Sequence, residues 1–277
     1  MLAVFLAASS ALVWGIGDFS GGKASQRASA VHVTTVAVVV ALPVVVVLVL
    51  VDPAPHVHVG DLLWGAAAGV TGGAGIVLFY RGLAAGAMAV VAPVSAVTSA
   101  SLPLVLGLAI DRVPGVLAMT GAVCAIAAIG LVSVGGRGGP VTARTVGLAL
   151  AAGALFGLFF VCLRQASPAA GAWPLVSQRL AALAAFGALL AWRRSVPRLG
   201  TAWPWTVVCG VFDITANALY FVAVHRGTMS IIAPVAALYP VSTVLLALAV
   251  DGERVRPIQV AGLGLAATAL VLTASQA

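Results

Sequence analysis

The sequence predicts an all-α integral membrane protein with ten transmembrane helices, arranged as two inverted five-helix repeats. Three observations carry that expectation. Of 277 residues, 62% are hydrophobic and 8% charged, roughly a third of the charged share of a typical water-soluble domain. The apolar residues gather into runs of about 20, each long enough to cross a bilayer as a helix. They do not form the alternating segments of about ten residues that a membrane barrel requires. Finally, the second half of the chain echoes the first.

The first run, residues 2–22, opens directly after Met1 with no basic leader region and is expected to stay in place as a helix. The second, 31–51, carries Pro43 and ends at Asp52. The third, 61–83, holds Gly65, Gly69 and Gly73, a ridge that lets another backbone approach closely. Tyr80 and Arg81 close it as interface anchors. The fourth and fifth runs, 87–110 and 115–135, are separated by Asp111 to Pro114. Glycines and Pro140 then mark 136–144 as a linker between a first unit, 1–135, and a second, 145–277. The second unit continues with runs at 145–165, 171–192, 203–224, 228–250 and 256–276.

Fourteen basic residues, thirteen of them Arg, oppose seven acidic ones. The basic residues sit mostly in loops, where cytoplasmic faces and anionic headgroups favour them, so the excess does not point to nucleic acid. Cys124, Cys162 and Cys209 are isolated and read as buried thiols. Two lookalike motifs fail. Gly17 to Ala24 resembles a phosphate-binding loop, but Ala24 lacks the hydroxyl that would hold magnesium and no strand precedes it. His56 and His58 form an HxH pair that reads as a solvated loop. No catalytic constellation, metal site or cofactor is expected, and the protein is not expected to be an enzyme.

The polar residues inside the runs are the candidate site. Asp213, Asn217 and Tyr220 lie at i, i+4 and i+7, forming one stripe on the eighth helix. A charge in mid-span costs about 2.5–3.5 kcal/mol on insertion scales, so Asp213 is expected to face protein or water. Arg179 is the basic residue set deep in a helix, and counting about 1.5 Å per residue brings it within reach of Asp213 or Asn217. Either a static pair or a gating role fits. Asp18 follows Trp14 by one turn near the expected end of the first helix, where proton coupling competes with interface anchoring. Pro93, Pro103, Pro234 and Pro240 are expected to kink the fourth and ninth helices, freeing backbone groups near Ser95, Thr98 and Tyr239.

A shift of 141 residues aligns Trp64 with Trp205, Met88 with Met229 and Pro93 with Pro234. With five helices per unit, the second must be inverted, an arrangement from which many secondary transporters build alternating gates. The motifs WGIGDFSGG from Trp14, FYRGLAAGAMAVVAPVSA from Phe79 and YFVAVHRGTMSIIAPVAALYP from Tyr220 resemble the EamA-like family of the drug/metabolite transporter superfamily. So does DGERVRPIQVAGLGL from Asp251, whereas the first-half turn AIDRVPGV lacks its Gly-Glu pair.

The resemblance implies an exporter of a small metabolite, amino acid or drug, working by alternating access with a coupling proton. Its partners would be that solute and the lipid bilayer, in a bacterial inner membrane, as monomer or homodimer. A lipid-linked-solute flippase, or a membrane enzyme or assembly subunit without transport, is the alternative. Orientation divides the arguments. Termini outside would place ten basic loop residues, from Lys23 to Arg256, in the cytoplasm against three opposite, Arg112, Arg164 and Arg226. The resemblance implies termini inside.

Overall fold

The computed structural model describes all residues except 52, 85–87, 111–113, 134–141, 240, 243–244, 247–248, 250–255 and 275–277. Side chains at 80–84, 88–93, 110, 132–133, 145, 270 and 274 are likewise outside the description. The linker, the Gly-Glu-Arg turn at 252–254, Pro240 and the side chains of Pro93, Tyr80 and Arg81 therefore fall outside the described residues.

Among the described residues ten α-helices are bounded, in order: α1 (Leu2–Ser25), α2 (Ala30–Val51), α3 (Val59–Ala84), α4 (Met88–Ile110), α5 (Val116–Ser133), α6 (Ala143–Gln165), α7 (Trp173–Trp192), α8 (Trp203–Val224), α9 (Met229–Ala236) and α10 (Pro257–Ala274). Short 3-10 turns at Pro168–Ala170 and Gly200–Ala202 precede α7 and α8. Six helices among the described residues, α1, α2, α3, α6, α7 and α8, have the length and apolar composition to cross a membrane, and shorter apolar stretches lie in α4, α5 and α10. Large apolar side chains such as Phe5, Leu50, Leu63, Val105 and Val271 remain exposed on the outer surface. That is the pattern expected when the solvent is lipid.

The bundle is held by close contacts at small residues. α1 packs on α8 and α3 on α6 and α7; α4 lies on α6, α2 on α7 and α8, and α5 on α10. A Cβ added to Gly65 would fall 2.1 Å from the Pro174 carbonyl oxygen, and one at Gly69 would fall 2.2 Å from that of Gln178. The glycine ridge of α3 is thus the seat of α7. Gly153 on α6 and Gly210 on α8 serve α4 and α2 in the same way. The turn after α6 closes at Gly171, whose φ of 52° favours glycine.

Two elements differ from expectation. α1 runs three residues past the predicted end, to Ser25, so Asp18 lies about 10 Å from that end instead of beside the boundary. The ninth helix ends at Ala236 after eight residues, with a turn at Ala237 and Leu238. Pro240 stands four positions on, and a proline cannot supply the N–H that the Ala236 carbonyl would need.

Candidate functional site

The polar stripe of α8 meets a different partner at each turn. Halfway along the helix, Asp213 Oδ2 lies 2.6 Å from Arg179 Nη2 on α7. One turn further, Asn217 accepts a hydrogen bond at 2.9 Å from Gln178 Nε2, also on α7. Its own amide donates back to the Asp213 carbonyl. A third turn brings the Tyr220 hydroxyl to donate to the Phe160 carbonyl of α6 at 3.1 Å. Long side chains thus span from α7 to α8, while α2 packs against both.

The two members of the ion pair sit in different surroundings. The Arg179 side chain is 7% exposed and that of Asp213 is 38% exposed. The guanidinium is locked in protein, while the carboxylate opens onto accessible space. Around it the polar groups are incompletely paired: Gln178 Oε1 and Arg179 Nε have no hydrogen-bond partner among the described residues. Left without water or solute, each such orphan would cost about 1–3 kcal/mol.

α1 supplies the remaining charge. Gly17 lies against the backbone of α8, where an added Cβ would approach the Asp213 nitrogen at 3.4 Å, and Gly21 lies against the Cys209 sulfur. The next residue, Asp18, interacts electrostatically with Asp213. The Asp18 side chain itself is exposed, between the buried Gly17 and Ser20 of α1. Two carboxylates and one guanidinium therefore share this region, leaving it acidic by one formal charge.

One turn before Asp18, Trp14 forms an aromatic hub. Its ring centroid lies 5.5 Å from Phe160, 6.0 Å from Tyr220, 6.1 Å from Phe159 and 6.5 Å from Tyr239. Tyr239 also hydrogen-bonds the side chain of Ser99 on α4. Tyr239 stands within electrostatic reach of Asp18.

The structure thus gathers Trp14, Asp18, Arg179, Asp213, Asn217, Tyr220 and Tyr239 around α1 and α8. It does not bring Ser95 and Thr98 to them: both lie against Gly153 at the α4–α6 crossing. The Thr98 hydroxyl is returned to its own helix at the Val94 carbonyl. Pro103 and Pro234 are buried within α4 and α9. Gln178 and Ser99 were not anticipated. Gln178 stands between Ser177 and Arg179 in an otherwise apolar run, and that polar triplet was the available signal. Gly17 to Ala24 is helical throughout and forms no phosphate loop. Among the described residues no three His, Cys, Asp or Glu side chains gather as a metal site. A recess of about 410 Å³, lined by Met1, Val4, Pro114, Arg226 and Ile232, opens at the N-terminal face, apart from the ion pair.

Apolar helices of membrane-spanning length with charges turned inward define a multi-pass membrane protein. The model of the EamA-like transporter family matches residues 1–134 and again residues 143–275. The chain belongs to the EamA-like transporter family. A solved crystal structure aligns over 98% of this chain and 95% of its own at 14% sequence identity, with a TM-score of 0.75, which shows a shared fold. No curated protein matches the sequence.

Proposed function

We propose that the protein is a secondary carrier that exports a small metabolite, amino acid or drug by alternating access, coupled to protons, in a bacterial inner membrane. The observation that carries this reading is the Arg179–Asp213 pair, set near the middle of α8 with one partner buried and the other more accessible. Charges inside membrane helices mark solute or ion pathways more often than they serve packing. A proton or solute that competes for Asp213 loosens the bridge to Arg179, and with it the hold of α7 on α8.

The duplicated match to the family supports two five-helix units, 1–135 and 145–277. Helix pairing supports a two-fold relation between them, because α1 on α8 and α6 on α3 are the same contact with the halves exchanged, and an odd number of helices per unit would invert the second.

The test is solute flux into vesicles containing the purified protein, across a panel of amines, amino acids and aromatic drugs. Asp213→Asn keeps the shape and removes the charge. It is expected to lower flux by about tenfold, equivalent to about 1.4 kcal/mol in the barrier, at unchanged membrane abundance. Wild-type flux in that variant would remove Asp213 from the pathway.

A further inference from the structure

We propose that His225 is a protonation-dependent latch that ties the end of α8 to the junction of α3 and α6 through a single peptide group. His225 sits just past the last residue of α8. Its Nδ1 lies 2.7 Å from the Phe221 carbonyl oxygen and its Nε2 lies 2.6 Å from the Ala166 carbonyl oxygen. Both carbonyls can only accept. A neutral imidazole has one N–H and leaves a lone pair facing the other oxygen, whereas the imidazolium donates to both. The Phe221 ring lies 4.5 Å away between centroids, and His225 stands at the C-terminal end of α8.

The other side of the latch is Asp61, in the first turn of α3. Its Oδ1 accepts the Ser167 N–H at 2.7 Å and its Oδ2 accepts the His58 N–H at 3.0 Å. The Ala166 carbonyl and the Ser167 N–H belong to one peptide unit. A carboxylate on the N–H and an imidazolium on the oxygen polarise that amide in the same sense, so each bond strengthens the other. The start of α3, the end of α6 and the end of α8 meet at this one plane.

The other ionisable side chains of these segments are Arg164 on α6, Arg226 beside His225, and His58, which contributes its backbone N–H. α9, the next helix, carries no charged side chain in Met229–Ala236. Guanidinium groups stay charged in proteins, so the His225 proton is the variable part. The hold is present at low pH and lost as the pH rises. Losing it frees the end of the helix that carries Asp213, Asn217 and Tyr220, on the membrane face that also bears Met1. The step from latch to gate rests on the carrier reading; the latch itself does not.

The experiment places the full chain, labelled with ¹⁵N-histidine, in lipid vesicles and records ring-nitrogen spectra at about pH 5 and about pH 8, the range over which histidine charge changes. His225 is identified by the signal lost in His225→Gln. Hydrogen exchange of the segment containing Ser167 is followed in parallel and corrected for intrinsic chemistry. The expected result is an imidazolium at the lower pH, with exchange severalfold slower there, and no such difference in His225→Gln or Asp61→Asn. A neutral ring at the lower pH, or an undiminished pH difference in His225→Gln, overturns the latch. If that variant does not fold, His32→Gln, His56→Gln and His58→Gln assign the other three signals, and the fourth decides. Flux measured on the same vesicles separates the two readings: a protonated ring without flux of any solute leaves the latch and removes the carrier.

Discussion

Arg179 and Asp213 touch at 2.6 Å, and the carboxylate is far more accessible than the guanidinium. That asymmetry sets what each substitution does. Arg179→Leu leaves Asp213 without its counter-charge but with access to water, so the expected loss is about 1–3 kcal/mol, below the 3–5 typical of breaking a fully buried pair. Combining Arg179→Leu with Asp213→Asn removes the stranded charge and is expected to recover much of the folded protein without recovering flux. Thermal unfolding of the single and double variants in detergent checks this, with a coupling of about 0.5–3 kcal/mol expected for residues in contact. Additive effects would mean that the pair contributes nothing jointly. At this scale the stripe on α8 was legible because i, i+4 and i+7 must share a face. The partners were not. Whether Asn217 meets Arg179 or Gln178 depends on how α7 is rotated about its axis, and a nearly uniform apolar sequence does not encode that rotation locally. Asp61 and His225 were hidden for another reason: their partners are backbone groups, which leave no mark on residue identity.

Most helix boundaries could be read to within a few residues because bilayer thickness fixes the length of each apolar run. The extension of α1 was missed because Ser20, Gly21, Gly22 and Lys23 look like an ending, yet Ser20 and Gly21 are buried against neighbouring helices. The ridge of α3 yields the sharpest test of an element. Gly69→Ala would drive a Cβ to 2.2 Å from a carbonyl oxygen of α7, and backbone cannot turn aside as a side chain can. Overpacking of this kind costs about 1–3 kcal/mol or more, so a clear fall in unfolding temperature and in yield of folded protein is expected. Gly187→Ala, in open space within α7, is the matched control and should change neither. Equal behaviour of the two variants would mean that α3 and α7 are less closely seated than the ridge indicates.

For the whole molecule, the ten crossings proposed for the two five-helix units would return the chain to the side on which it began. Reporter fusions at Met1 and Ala277 should therefore give the same location, and opposite locations would require an odd number of crossings. Which helices are neighbours was not legible. In water a buried face is recognised by its contrast with a polar one, but lipid is as apolar as the protein interior, so an outward Leu63 and an inward Leu175 look alike in sequence. The aromatic hub offers a way to watch the assembled bundle. Trp14 is buried at the meeting of α1, α6 and α8, whereas Trp64, Trp173, Trp192 and Trp203 are exposed. Brominated lipid tails can quench the fluorescence of those outer indoles that sit at their depth while leaving Trp14 emitting. The light that survives then includes that of Trp14, and the part of it lost in Trp14→Phe becomes an optical record of rearrangements at the centre of the protein.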